Sequence, residues 1–169
     1  NIIDDPLMPK KIQSKILDCE RTRTKKSYLI ENGILKFLFN TLEYAKQLKH
    51  HPTGHASRGV SSLPYASPSN LFLNNGNIPL NSMIRNIKKG MLVTELMGSS
   101  INMSTGDYSR GASGFWIENG EILYPISEVT IAGNLLDIFA NLIPANDLNF
   151  DYSINAPSCL VENMTIAGI

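Results

Sequence analysis

Asn119-Gly120, in the middle of "GDYSRGASGFWIENGEILYPISEVTIAGN" (106–134), constrains this chain more than any other feature. Both central residues of a type I′ turn need positive φ, and Asn-Gly meets that need with the least strain. Closing the turn sets Glu118 opposite Glu121 at the tip. Alternation then places Phe115, Ile117, Ile122 and Tyr124 on one face, and Trp116 and Leu123 on the other. Farther from the turn the apolar parity moves from Ile122, Tyr124 and Ile126 to Val129 and Ile131. A bend or bulge is therefore expected near Pro125–Glu128. The single Trp of the chain lies among five glycines on strands that are apolar on both faces. Glycines in a strand weaken it unless another backbone comes close. Two readings stand: a two-sided buried strand, or a surface on which Gly111, Gly114 and Trp116 meet a partner or an extended peptide. These three are the candidate contact residues.

Around this hairpin the pattern alternates short strands with short helices. "SYLIENGILKFLFN" is a second hairpin about Asn32-Gly33, pairing Ile30 with Leu35 and Tyr28 with Phe37. "TLEYAKQLKH" reads as a helix capped by Thr41, with Glu43 in its first turn and Lys46, Lys49 and His50 near its end. "PLNSMIRNIKKG" reads as another, opened by Pro79 and stopped by Gly90. "NLLDIFANLI" is a third, capped by Asn134. "MLVTELMG" and "SSINMSTG" read as two strands, and "PSCLVENMTIAG" as a final strand pair or one bent strand. Residues 51–70 form a long Gly/Pro/Ser-rich loop, and residues 1–26 an extended lead-in before a domain over 27–169. The class is α+β, with a large, mostly antiparallel sheet and a few short helices.

Composition narrows the chemistry. The 169 residues are 43% hydrophobic, enough for a core, and no apolar run is long enough to span a bilayer, so a cytoplasmic protein is expected. Beginning at Asn1, the chain reads as part of something longer. Residues 1–110 carry all 15 Lys and Arg against 8 Asp and Glu, a net +7. Residues 111–169 carry 7 acidic residues and no basic ones, a net −7. The basic residues are scattered and lack the interleaved aromatics that stack bases, which disfavours nucleic acid as a partner. His50, His51 and His55 are the only histidines. His51 and His55 have helical metal spacing, but Pro52 and Gly54 break the helix, so they read as solvated loop residues. Cys19 and Cys159 lack metal-type spacing and read as lone thiols. No phosphate loop, dinucleotide fingerprint or nucleophile elbow is present.

"TGHASRG", "PSNL", the long hairpin segment, "ANDL" and "NAPSCLVENMTIAG" occur in one order that resembles the C-terminal region of the TldD/PmbA family, nearer its PmbA (TldE) branch than TldD. The resemblance runs from residue 28 to 169, while "LDCERTRTK" departs from the family's pattern. It implies a two-subunit zinc metallopeptidase acting on unfolded peptides in the bacterial cytosol, in peptide-antibiotic maturation and antitoxin turnover. In TldD, a His-Glu-x-x-x-His helix and a later cysteine hold the metal. The helix belongs upstream of this region, and where the cysteine belongs this chain reads "NFDYSINA"; Cys159 does not match that position. The resemblance therefore implies the non-metal subunit, with no catalytic, cofactor or metal residue here and zinc in a TldD-like partner. The alternative is a stand-alone binding module acting as a modulator of DNA gyrase, a description the family also carries. With its sheet uncovered, the isolated chain is expected to self-associate.

Overall fold

The computed structural model describes residues 1–168. In chain order the elements are β1 (Ile2–Asp4), β2 (Ser27–Glu31), β3 (Ile34–Leu35), α1 (Leu42–Leu48), β4 (Ala56–Ser57), β5 (Tyr65–Ala66), β6 (Leu71–Leu73) and α2 (Leu80–Arg85). There follow β7 (Lys89–Ile101), β8 (Asp107–Glu118), β9 (Glu121–Asn134), α3 (Leu135–Ala140), β10 (Ile143–Pro144), β11 (Ile154–Asn155), β12 (Cys159–Leu160) and β13 (Thr165–Ala167). The class is α+β, as expected. The strands are shared between two compact units, one formed by Asn1–Asn75 with Leu148–Pro157, the other by Gly76–Asp147 with the chain from Ser158 onward. Each unit has its own principal sheet in place of the one large sheet expected.

Unit 1 is built on a five-stranded mixed sheet in the order β11-β6-β1-β2-β3. Residues 1–26 are therefore more than an extended lead-in. Ile2–Asp4 form the middle strand, antiparallel to both β2 and β6, with Ile3 and Asp4 buried. Three residues flanked by Pro6 and Pro9 are too short to show a period, and only the neighbouring strands make them a strand. Asn32 and Gly33 have φ of 52° and 78°, and Ile30 faces Leu35 across the turn. Helix α1 is capped as the sequence predicts: the Thr41 side chain accepts from the Tyr44 amide, and Lys49 ends the helix in the left-handed region at φ 55°.

Unit 2 is built on an antiparallel sheet in the order β13-β9-β8-β7. The Asn119-Gly120 turn forms with φ of 51° and 82°, and Glu118 pairs with Glu121. The tip is tied down, because the Asn119 and Gly120 amides donate to the carbonyls of Lys88 and Ile87, each at 2.8 Å. The predicted bulge is present: between the pairs Ala112↔Val129 and Gly114↔Ile126, β9 holds one residue more than β8, and Glu128 lies at φ 59°. A second extra residue between Ile122 and Pro125 sets Phe115 against Pro125 instead of Tyr124. Ala112, Val129 and Ile131 form the buried centre, with Met91, Tyr108, Ile126, Met164 and Ile166 packed around it.

Two other expectations change. "MLVTELMG" and "SSINMSTG" make one thirteen-residue strand, β7, whose register shifts between Val93 and Glu95 and between Met97 and Ser100. Helix α2 ends at Arg85, one turn before Gly90, which lies in β7. The segment "PSCLVENMTIAG" does supply two strands, β12 on β10 and β13 on β9.

The β10–β12 pair is fastened by Asp147, whose carboxylate accepts from the Ser158 amide at 2.8 Å and the Ser158 hydroxyl at 2.7 Å. The hydroxyl bond is the main cause that holds the Asp147 carboxyl below its ordinary value, against a smaller opposing effect of burial. A depressed folded-state pKa stabilises the fold above the unfolded value of 3.8, and that contribution fades as pH falls through the folded value. We expect Asp147→Asn to flatten the acid limb of a melting-temperature profile taken from about pH 5 to pH 2, with a parent-like slope above that range.

Candidate functional site

The three residues proposed from sequence as contacts lie in one strand, but two of them are not on a surface. Trp116 is 7% exposed, with the Lys89 ammonium 5.6 Å from the ring centroid and Met91 across the ladder. Gly114 is buried, and a Cβ there would lie 1.9 Å from the Leu92 carbonyl oxygen. The backbone that demands this glycine is therefore that of the adjacent strand β7, at its first bulge, not that of a partner. Gly111 is half-buried, with Met97 Cβ 3.3 Å from where its own Cβ would be. What unit 2 does expose is the outer hairpin, Phe115, Ile122, Leu123 and Tyr124, together with Val93, Leu96, Met97 and Ile101 on β7. The sequence reading missed these last four because it divided β7 in two.

Unit 1 holds a buried polar centre. Asp4 and His55 are 0% and 1% exposed, with His55 Nε2 3.1 Å from Asp4 Oδ2. The other Asp4 oxygen accepts from the Ser69 amide at 2.7 Å. His55 is stacked against Phe39 and Phe37, at 4.4 and 5.7 Å between centroids, and its Nδ1 is buried with no hydrogen-bond partner. It is thus a core histidine and not the solvated residue expected. Buried polar groups need partners, and Asp4 is the partner that keeps this one inside. Asp18 braces the same region, accepting from the Glu20 and Thr22 amides through one oxygen and from the Ala56 amide through the other.

His50 and His51 are exposed and line a cleft of about 600 Å³ in unit 1 with Lys25, Lys26, Lys36 and Tyr28. Its floor is fixed by Asn40 and Thr53: each amide donates to the other's side-chain oxygen, at 3.0 and 2.8 Å, and Asn40 Nδ2 donates to the His51 carbonyl. Among the described residues no three His, Cys, Asp or Glu side chains gather as a metal site. His55, the third histidine, is committed to Asp4. Partial burial, helped by the Asp147 carboxylate, raises the Cys159 thiol above its ordinary value.

This architecture is that of a known family. Residues 1–168 match the model of the PmbA/TldA metallopeptidase C-terminal domain. The chain belongs to the PmbA/TldD family. It is 40% identical to the metalloprotease PmbA homolog of Haemophilus influenzae over 169 residues and to metalloprotease PmbA of Escherichia coli O157:H7 over 168, in each case across 99% of its length. It spans only 36% and 35% of those two proteins. Among solved structures, TldE from Thermococcus kodakarensis superposes with a TM-score of 0.88 at 29% identity, over 99% of this chain and 39% of that one. A Thermotoga maritima protein described as a modulator of a DNA gyrase superposes with a TM-score of 0.84 at 32% identity, over 98% and 38%. The family match includes residues 1–26, in keeping with β1 at the centre of its sheet. No helix among the described residues is long and apolar enough to cross a membrane.

Two substitutions test the placements. Trp116→Ala is expected to remove about 3–5 kcal/mol of stability, as truncation of a buried aromatic does, and to lower the melting temperature accordingly; a surface contact would leave it unchanged. Asp4→Ala strands the Ser69 amide and the His55 ring in the core, at about 1–3 kcal/mol for each group left without a partner. Urea titration of this variant should show its midpoint lowered.

Proposed function

We propose that this chain is the C-terminal part of the non-metal subunit of a TldD/PmbA-type metallopeptidase that cleaves unfolded peptides in the cytosol. In this reading a TldD-like partner holds the zinc that activates water, and this chain binds and orients the peptide. The supporting observation is β7, which runs for thirteen residues along the outer edge of the four-stranded sheet. An edge strand presents backbone donors and acceptors to any extended chain, and main-chain bonding of this kind needs no fixed sequence. Unfolded segments have those groups available, whereas folded proteins have already paired them. The two bulges bend the edge, and the exposed Val93, Leu96 and Met97 offer apolar contacts to alternate side chains of an added strand. Without a partner, the same apolar residues favour self-association of the isolated chain.

The test is to co-express the full-length protein with a TldD-like subunit, purify the complex and measure cleavage of an unstructured peptide. Cleavage is expected from the complex alone, lost to a chelator and restored by zinc. Val93→Lys with Leu96→Lys should raise KM several-fold and leave the complex assembled, since lysines blunt an edge strand. Stoichiometric zinc bound by this subunit alone, or cleavage indifferent to the β7 substitutions, would sink the proposal.

A further inference from the structure

The second hairpin of unit 1 does not close along its whole length. Ile30 faces Leu35 and the Lys36 amide donates to the Leu29 carbonyl, but beyond these residues the two arms part. Phe37, expected opposite Tyr28, instead packs edge-on against Phe39 and tilted against His55. Tyr28 and Phe37 both line the 600 Å³ cleft. That volume is within the ordinary range of ligand sites.

The charge lining this cleft has one sign. Lys25, Lys26, Lys36, His50 and His51 line it, and no Asp or Glu does. Lys26 and Lys36 are each paired with a carboxylate on one side, Asp5 at 3.8 Å and Glu31 at 3.2 Å. Lys25 makes no ion pair among the described residues. The floor beneath them is already organised by the Asn40–Thr53 bonds, so a ligand meets a formed surface. Unit 1 as a whole carries 11 Lys and Arg against 7 Asp and Glu, so the cleft lies in a net positive field.

We infer that this cleft binds a carboxylate-bearing segment of an extended peptide, with Lys25 and Lys36 taking the acidic groups and Tyr28 and Phe37 flanking its apolar part. The peptide nature of the ligand rests on the function proposed above; the preference for acidic sequence is additional to it. A basic cleft would also attract nucleic acid, but binding a single strand calls for a row of aromatic platforms, and this cleft is lined by one exposed Tyr and one half-buried Phe. The attraction between exposed charges is screened by salt, so binding should weaken as ionic strength rises.

The test uses the full-length protein that contains this chain and two fluorescein-labelled unstructured peptides, identical except that Asp and Glu in one are Asn and Gln in the other. Fluorescence anisotropy should show the acidic peptide binding about tenfold tighter at low salt, with the difference shrinking at high salt. Lys25→Glu with Lys36→Glu should erase that difference, and the milder Lys25→Gln with Lys36→Gln should reduce it, both with a parent-like circular dichroism spectrum. Equal affinity for the two peptides, or a preference that survives both variants, would overturn the inference. So would a short single-stranded oligonucleotide that outcompetes the acidic peptide through the same two lysines. In the assembled complex, cleavage of both peptides at one KM would remove the cleft's role while leaving the peptidase proposal standing; no cleavage of either would remove the proposal on which the inference rests.

Discussion

A carboxylate with no access to water organises unit 1. Asp4 is fully buried, and a buried carboxyl group is tolerable only when hydrogen-bond partners converge on it. The donors come from far along the chain, the Ser69 amide before β6 and the His55 ring from the loop after α1. Satisfying Asp4 therefore fixes three segments at once. His55, so fixed, gives Phe37 and Phe39 a flat surface to stack on, and that stack draws Phe37 away from Tyr28. The cleft follows from the parting of the two arms. One buried group in the first four residues thus shapes an opening lined by residues 25 to 53.

Unit 2 obeys a different constraint, set by backbone geometry. Strand β8 runs without an extra residue while both its neighbours take up register shifts, β7 at two places and β9 at two. Bulges increase twist and re-aim side chains. On β8 the even positions Tyr108, Ala112 and Trp116 share one face by alternation, and Ala112 and Trp116 are buried. Gly114 lies on that face where β7 comes nearest, and the same approach that requires a glycine gives the Leu92 carbonyl its place. Tryptophan and glycine are neighbours here because a close strand crossing and a large ring together fill one layer of the unit.

What was legible in the sequence was mostly local. The two Asn-Gly turns, the Thr41 and Asn134 caps and the bulge near Glu128 each depend on a few adjacent residues whose conformational preferences are strong, and each formed. The motifs carrying the family resemblance were also contiguous. What the sequence hid depended on distance along the chain. β1 is three residues long and is a strand only because β2 and β6 flank it. His55 looked solvated because its Gly/Pro-rich surroundings suit a loop, and nothing local announces a partner 51 residues away. Trp116 and the glycines signalled a close backbone correctly, but the pattern had no means of saying whose backbone it was. The neighbouring strand supplies it.

These two constraints leave each unit with a different kind of surface. Unit 1, net positive, partners its buried Asp4 and sets Lys25, Lys26 and Lys36 along a cleft with an organised floor. Unit 2, with 4 basic residues against 8 acidic ones, buries Trp116 and leaves a long edge strand that exposes Val93, Leu96, Met97 and Ile101 beside Lys89, Thr94, Glu95 and Ser100. An extended peptide has both kinds of group to offer, a backbone that any edge can bond and side chains that differ in charge. Edge pairing alone accepts any unfolded sequence, because its bonds are to the main chain. Charge alone accepts any anion, because its reach is long and its geometry loose. Under the function proposed above, a chain that has both would act by selecting which unfolded segment is held long enough to be cut. On that view discrimination among extended substrates would depend on differences in binding, of the kind that an edge strand and a basic cleft can supply.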